Sequence, residues 1–392
     1  MMVKLTELQP LEKEMITNRR YLHMHPEVGF AVNNTHDYIA SKLDELGIAS
    51  IKHVGKNSVI GVIDNGDSPV IALRADIDAL LLQELNELDY NSQNQGKMHA
   101  CGHDAHTAML LGAAKYLKEH KDLWRGTLKL IFQEAEEGPN PGGAKGVVDS
   151  KILDDVETVY ALHVSPEYPT GTFAIKEGGA FAAVCTFRIT LKGKGCHAAY
   201  PHLGIDPIIM QAEVVEAIQK IVSRKLPPLE KAVISVTQVH GGTTHNIIPD
   251  SVFLEGTIRI FSQEAKALIR SEFEQILKGV SERHKGSYEF SFIEEYDVVV
   301  NTPDAFSDFQ RVVSDLFGKG AFVKLEKPSM GGEDFFRYVE LAKSGAIAWI
   351  GTKKDETTAN SLHNPRFNID EKALVNGAAV FVNLITNYKR SE

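Results

Sequence analysis

The stretch Met98-His99-Ala100-Cys101-Gly102-His103-Asp104-Ala105-His106 constrains this chain more than any other. It crowds a thiol, three imidazoles and a carboxylate around one glycine, just ahead of the apolar run Ala108-Met109-Leu110-Leu111. Such a run after a polar cluster reads as a helix, with Cys101 and His103 in the turn that enters it and Asp104 as its cap. A thiolate and an imidazole two residues apart reach one ion or a close pair, and that donor set suits Zn and similar transition ions better than Mg or Ca. The competing reading is a buried free thiol beside surface histidines, the ordinary fate of isolated Cys and His. The density of donors favours a metal site.

A chain of 392 residues is too long for one ordinary core and implies at least two domains. With 43% apolar and 24% charged residues it reads as globular. Its 42 Lys and Arg stand against 52 Asp and Glu, a net charge of -10, and no basic cluster stands out, which argues against nucleic acid as a partner. No run of 18 apolar residues implies a membrane span, and Met1-Met2-Val3-Lys4-Leu5-Thr6-Glu7 has no signal-like apolar core, so the cytoplasm is the expected compartment. Cys101, Cys185 and Cys196 are poor material for a disulfide framework.

Periodicity predicts a helix over 5–21, a loop at His23 to Phe30, and an amphipathic helix capped by Asn34 or Thr35 and ended by Gly47. Strands are expected over 51–63 and 69–75, a helix over 104–118, and strands over 126–133 and 158–163. The alternation implies an α/β layer domain, and the nearly continuous apolar run at 69–75 belongs to a sheet covered on both faces. From residue 182 the pattern becomes β-α-β-β-α-β: strand 185–192, a helix after Asp206-Pro207, strands 233–240 and 251–260, a helix capped by Ser262, and strand 288–296. That is the order of a ferredoxin-like unit. Helices at 305–317 and 334–342, a strand at 346–351 and a helix from Asp370 then resume the first pattern. The expected organisation is a discontinuous domain, 1–181 with 297–392, interrupted by an inserted one at 182–296.

Candidate chemistry collects at strand ends, where open α/β sheets build their sites. Arg74-Ala75-Asp76-Ile77-Asp78 puts two carboxylates there, on one face if the strand continues that far. Glu134-Ala135-Glu136-Glu137-Gly138 follows the strand 126–133 and precedes a Gly-rich loop; His163 ends the next strand, and His363 lies in the loop Ser361-Leu362-His363-Asn364-Pro365. Taken singly, each of these two histidines reads as a hydrogen-bonded loop residue.

Together, Arg74-Ala75-Asp76-Ile77-Asp78-Ala79-Leu80, His99-Ala100-Cys101-Gly102-His103-Asp104, Gln133-Glu134-Ala135-Glu136-Glu137-Gly138, Gly193-Lys194-Gly195-Cys196-His197-Ala198-Ala199, Asn246-Ile247-Ile248-Pro249-Asp250, Gly331-Gly332-Glu333-Asp334-Phe335 and Leu362-His363-Asn364-Pro365 resemble the M20 metallopeptidase family. Within it they are similar to the amidohydrolase branch of hippurate hydrolases, auxin-conjugate hydrolases and N-acetyldiaminopimelate deacetylases. The resemblance implies a phosphorylase/hydrolase-like α/β catalytic domain with a dinuclear metal centre, carrying an inserted ferredoxin-like dimerisation domain. It implies two divalent metal ions per chain, Mn first, with Zn, Co or Ni as alternatives. Cys101, as a bridging ligand, and His103, Glu137, His163 and His363 match the ligand positions; Glu136 falls at the general base and Asp78 at the carboxylate that orients the site. Asp76 stands where other branches carry a histidine ligand. His197 matches a residue that reaches the partner subunit's site, Asn246 and Arg259 match residues gripping the substrate carbonyl and carboxylate, and Gly332 falls among substrate-binding positions. The implied activity is metal-dependent, aminoacylase-like hydrolysis of N-acyl amino acids, with cleavage of small peptides as the alternative, in a homodimer or dimer of dimers. Glu134 and Leu81 stand where proline is usual, Cys196 where glycine is common, and the loop Phe30-Ala31-Val32-Asn33-Asn34 lacks the usual glutamate pair.

Overall fold

The computed structural model describes residues 2–388 and divides into two compact units. Unit 2 comprises Phe181–Val298 and Ser329–Glu333; unit 1 is the remainder. Linear reading leaves Ser329–Glu333 in the outer domain. The chain groups it with unit 2 because the Ala182 amide donates to the carbonyls of Ser329 (3.1 Å) and Gly331 (3.0 Å).

Unit 1 runs through α1 (Glu12–Met24), α2 (Asn33–Glu45), β1 (Ala49–Val54), β2 (Ser58–Asn65), β3 (Val70–Asp76), α3 (His103–Glu119), β4 (Gly126–Gln133), β5 (Thr158–Pro169) and β6 (Phe173–Ile175). Unit 2 supplies β7 (Ala183–Lys192), α4 (Pro207–Arg224), β8 (Ala232–Gly241), β9 (Ser251–Ile260), α5 (Gln263–His284) and β10 (Ser287–Tyr296). Unit 1 resumes with α6 (Pro303–Phe317), β11 (Phe322–Lys324), α7 (Phe336–Ala342), β12 (Gly345–Lys353) and α8 (Lys372–Thr386).

The unit 1 sheet has eight strands in the order β1-β2-β4-β3-β5-β12-β6-β11. Its centre, β4-β3-β5-β12, is parallel, and every residue of β3 is buried, as the apolar run requires of a strand covered on both faces. Helix α3 is buried almost all round because it packs on β3, α1 and α8 together, so a single helix threads from the donor-rich turn through the core. Unit 2 is a four-stranded antiparallel sheet, β8-β9-β7-β10, whose apolar face packs on α4 and α5 through Phe187, Ile189, Leu254, Met210, Ile269 and Phe273. Among the described residues no helix is long and apolar enough to cross a membrane.

Several boundaries depart from the sequence expectation, each for a local reason. The helix expected over 5–21 is split, since Pro10 sits in a 3-10 turn, Gln9–Leu11, between Leu5–Leu8 and α1. The strand expected over 51–63 is the β1–β2 hairpin, turning at Gly55 with φ 69°. Helix α2 begins at Asn33, so neither Asn34 nor Thr35 caps it; the remote Glu27 carboxylate does, accepting from the Thr35 amide (2.9 Å) and Asn34 Nδ2 (2.7 Å). Helix α7 starts at Phe336, because the Asp334 carboxylate is spent elsewhere, and α8 starts at Lys372. Asp206 and Ser262 do cap α4 and α5, accepting from the amides of Ile208 and Ala265.

Candidate metal centre

Strands β3 and β4 end side by side, whereas β5 runs on to Pro169, so His163, expected at its end, lies within it. Beyond β3, the Ile77 amide donates to the Gln133 carbonyl (2.8 Å), which keeps Asp76-Ile77-Asp78 against the end of β4. The Asp78 carboxylate then accepts from the amides of Glu136 (3.0 Å) and Glu137 (3.2 Å), so one buried side chain shapes the turn that bears both glutamates. That turn is tight: Ala135 takes φ 50°, and a Cβ on Gly143 would lie 1.8 Å from the Glu134 carbonyl oxygen. The His363 loop is tied in by its amide, 2.8 Å from the Ala100 carbonyl, and His363 itself takes φ 61°, a backbone cost of the kind found at working sites.

Asp104 does not cap α3. Gly102 occupies the N-cap with φ 82°, where a Cβ would strike Val164 Cγ2 at 2.3 Å, and Asp104 lies inside the helix, bonded to Arg19 Nε (2.9 Å) and His23 Nδ1 (2.8 Å).

The donor atoms of Cys101, His103 and His163 lie within 4.8 Å of one another, and so do those of Cys101, Glu137 and His363. The two groups share the Cys101 sulfur. A third grouping, His103, Glu136 and Glu137, joins them. Cys101 Sγ stands 3.5 Å from His163 Nε2, and His363 Nε2 stands 3.1 Å from Glu137 Oε1. His163 donates from Nδ1 to the Val164 carbonyl (2.9 Å), which leaves the Nε2 lone pair facing the cluster. His103 is fully buried, its nitrogens 3.4 Å from Asp78 and 3.6 Å from Asp76 without hydrogen-bond geometry, and Glu137 Oε1 is likewise unsatisfied. Buried polar atoms left open in this way fit cations, which would satisfy them all at once.

Electrostatics point the same way. Burial, reinforced by Glu137, Glu136 and Asp76, pushes the Cys101 thiol well above its usual range; a coordinating divalent ion reverses this, since a metal-bound thiol is deprotonated. Burial opposes charge on His103, but Asp76 and Asp78 outweigh it and raise the imidazole to about 10; these carboxylates call for a cation, and a metal ion would take that place and displace the proton. Burial and the neighbouring His106 imidazole hold His163 well below the usual imidazole range, neutral as a ligand must be. Burial raises Asp78 against the pull of His103. Burial likewise raises Glu137, yet the nearby His363 imidazole and the His103 charge lower it overall.

Behind the donors lies a polar network that composition gave no reason to expect. Arg74, 1% exposed in the middle of β3, donates to Asp76 Oδ2 (2.8 Å), Gln133 Oε1 (3.0 Å) and Asp334 Oδ1 (3.1 Å). Asp76 gives its other oxygen to His106 Nδ1 (2.5 Å), so both oxygens are occupied without an ion. Asp334 also accepts from Gln133 Nε2 and the Ala144 amide (3.0 Å). The one sequence signal was an arginine inside an apolar run, which a buried strand tolerates only when paired. Glu134 accepts from the amides of Lys56 (2.7 Å) and Asn57 (2.8 Å), fixing the β1–β2 turn to the glutamate-bearing one. His99 is buried with both nitrogens unpartnered and burial pushes it down to about 3, so it stays neutral and outside the donor groups.

His197, Asn246, Arg259 and Gly332 all belong to unit 2. His197 pairs with Ile247 across a two-residue ladder, and the Ala198 amide donates to the Asn246 carbonyl (3.0 Å), so His197 and Asn246 share one exposed corner. His197 Nδ1 accepts from the Ala199 amide (3.0 Å), which puts the neutral ring's proton on Nε2 as a donor. Arg259 is half-buried on β9 and forms no close ion pair among the described residues; burial lowers its pKa against the pull of Glu295. A Cβ on Gly332 would lie 3.5 Å from its Nη1.

Comparison with known proteins agrees with this geometry. Residues 72–387 match peptidase family M20/M25/M40. The chain is 37% identical over 379 residues to IAA-amino acid hydrolase ILR1-like 4 of Arabidopsis thaliana, covering 95% of this chain and 85% of that one. It is 39% identical over 372 residues to the N-acetyl-L-cysteine deacetylase of Bacillus subtilis, covering 94% and 86%. Among solved structures it is similar to the Bacillus subtilis YXEP protein, a dinuclear metal binding peptidase from the M20 family, with a TM-score of 0.84, 33% identity and coverage of 97% and 98%. A cluster of thiol, imidazole and carboxylate donors, in a chain matched along nearly all its length, makes this protein a member of peptidase family M20/M25/M40 and a hydrolase of amide bonds.

Proposed function

We propose that this chain hydrolyses the amide bond of N-acyl amino acids, with Glu136 as general base and acid. The observation that carries the reading is the pair of donor groups, Cys101-His103-His163 and Cys101-Glu137-His363, that share one sulfur, with Glu136 grouped beside His103 and Glu137. Those five residues would hold two divalent ions, Mn first and Zn, Co or Ni as alternatives, the thiolate favouring Zn by softness. When bound, such ions polarise an amide carbonyl and bring the pKa of water toward ~7. Glu136 lies 4.0 Å from His103 through Oε2, on a turn held by Asp78, placed to take the water's proton and return it to the leaving nitrogen. General acid and base action of this kind contributes roughly 100- to 10,000-fold.

The substrate half of the reading draws on unit 2. His197 presents an Nε2 donor suited to the carbonyl oxygen as it gains charge, with Asn246 beside it, and the unpaired Arg259 next to Gly332 suits the carboxylate of the amino acid product. The relatives named for conjugates of amino acids and for N-acetylcysteine support an N-acyl substrate. The test is a panel of N-acetyl and N-benzoyl amino acids beside dipeptides, with Mn, Zn or Co added. Faster turnover of the acyl amino acids upholds the reading, and turnover of dipeptides alone overturns it.

The proposed assembly is a homodimer, or dimer of dimers, built on unit 2; its edge strand β8 and the exposed Tyr200, Leu203, Ile208, Ile209 and Val239 support that reading. If His197 serves the partner's site, mixing inactive His197→Ala and Glu136→Gln chains under subunit exchange restores part of the activity. Proven exchange without recovery rules the shared site out.

A further inference from the structure

We infer that His106 is a positioning residue that aims His163 into the metal centre by holding the backbone of Val164. The inference rests on the ligand role proposed above for His163. It begins with a mismatch in strand length. β5 pairs with β3 only from Thr158 to Ala161, opposite Ile71 to Arg74, and beyond that point its edge has lost its partner. On the other edge β12 continues, with Ile350 opposite Val164. The Val164 amide is buried, and a buried N–H without an acceptor is costly. It finds His106 Nε2 at 2.9 Å.

That single bond sets the state of two imidazoles. An acceptor Nε2 carries no proton, so the proton of the neutral His106 ring is on Nδ1, where Asp76 Oδ1 receives it at 2.5 Å. Both His106 nitrogens are thereby used. His106 has no lone pair left for an ion, even though Asp76, His103 and His106 form a group with metal-ligand spacing. The Val164 carbonyl accepts from His163 Nδ1 at 2.9 Å, which fixes the tautomer that turns Nε2 toward Cys101. The His106 and His163 rings stand 4.7 Å apart at 65°, and Gly102 lies flush against Val164 Cγ2, leaving the segment little room to shift. His106 is one helical turn after His103 on α3, so the helix that brings one donor also braces another.

Two variants separate the halves of the bridge. His106→Asn keeps a donor near Nδ1 for Asp76 but removes the acceptor for Val164; His106→Gln carries its amide oxygen out to the Nε2 position but gives up the Asp76 bond. Affinity for Mn or Zn is read by competition with a chelating dye, alongside the melting temperature of metal-free protein. Supports of a ligand histidine are worth about 10- to 100-fold in metal affinity, so His106→Asn is expected to lose that much and His106→Gln to stay within about threefold of wild type. A purely structural role lowers both melting temperatures and leaves both affinities alike. Equal affinities in the two variants, or wild-type affinity in His106→Asn, overturn the inference. His163→Ala separates this from the underlying reading: unchanged metal affinity there means His163 is no ligand, whereas lost affinity there beside an unaffected His106→Asn sinks the positioning role alone. Should either His106 variant fail to fold, nitrogen-15 NMR of histidine-labelled wild-type protein decides, since a protonated His106 Nε2 refutes the bridge and a bare one upholds it.

Discussion

The polar residues of unit 1 and those of unit 2 are built on opposite terms. In unit 1, Arg74, Asp76, Asp78, His103 and Asp334 are all at or below 1% exposure, and each carboxylate is aimed by an arginine, a histidine or a backbone amide. In unit 2, His197 and Asn246 stand in solvent, and Arg259 feels the charge of Glu295 without a close ion pair among the described residues. A buried group must be satisfied by its own chain or by an ion, because the interior offers nothing else. An exposed group can wait for a ligand. The contrast separates machinery that must be in place before substrate arrives from groups whose partner comes from outside.

The sharpest way to break that comparison is inside the glutamate pair. Glu136→Gln keeps the shape of the turn and removes the base, so turnover is expected to fall by roughly 100-fold or more while metal content stays near wild type. Glu137→Gln, next to it, is expected to lose metal instead, as read by elemental analysis. If the two variants behave alike, the division into base and ligand is wrong.

Next in size is the buried network. Arg74→Met fills similar space but strands Asp76 and Asp334 as uncompensated buried charges, a loss of about 3–5 kcal/mol in unfolding free energy. A urea midpoint unchanged from wild type would show that the carboxylates do not depend on Arg74.

The smallest effect is expected in unit 2. Arg259→Ala removes one charged contact to a substrate carboxylate, worth about 1.5–3 kcal/mol, and is expected as a rise in KM with metal content and melting temperature little changed. A fall in kcat at constant KM would move Arg259 from grip to chemistry.

Much of the site was legible as letters. Cys101, Glu136, Glu137 and His363 sit in loops or turns and His103 opens α3, all after or before apolar runs, while His163 lies inside β5 and not at the strand end expected for it. The supporting residues were not legible. Nothing near Glu27 in the chain announces a cap for α2, since the bonded Thr35 amide is eight residues away. Asp104 had every mark of a helix cap, yet Arg19 and His23, remote in sequence, claim its carboxylate. Short strands such as β6 and β11, three residues each, carry too few side chains for a period to show.

What the amino-acid sequence determined by itself is local: which longer segments are strands or helices, near which of them the donors lie, and that a β-α-β-β-α-β unit interrupts an α/β pattern. Those properties follow from side-chain periodicity and turn chemistry over a few residues. What only the tertiary structure decided is which donors share a point in space. Cys101 belongs to both donor groups because His363, 262 residues further on, is bonded back to Ala100. His106 is withheld from the ion because β3 ends before β5, leaving one amide for it to satisfy. Both outcomes depend on strand register and on the closure of long loops, which no local pattern encodes.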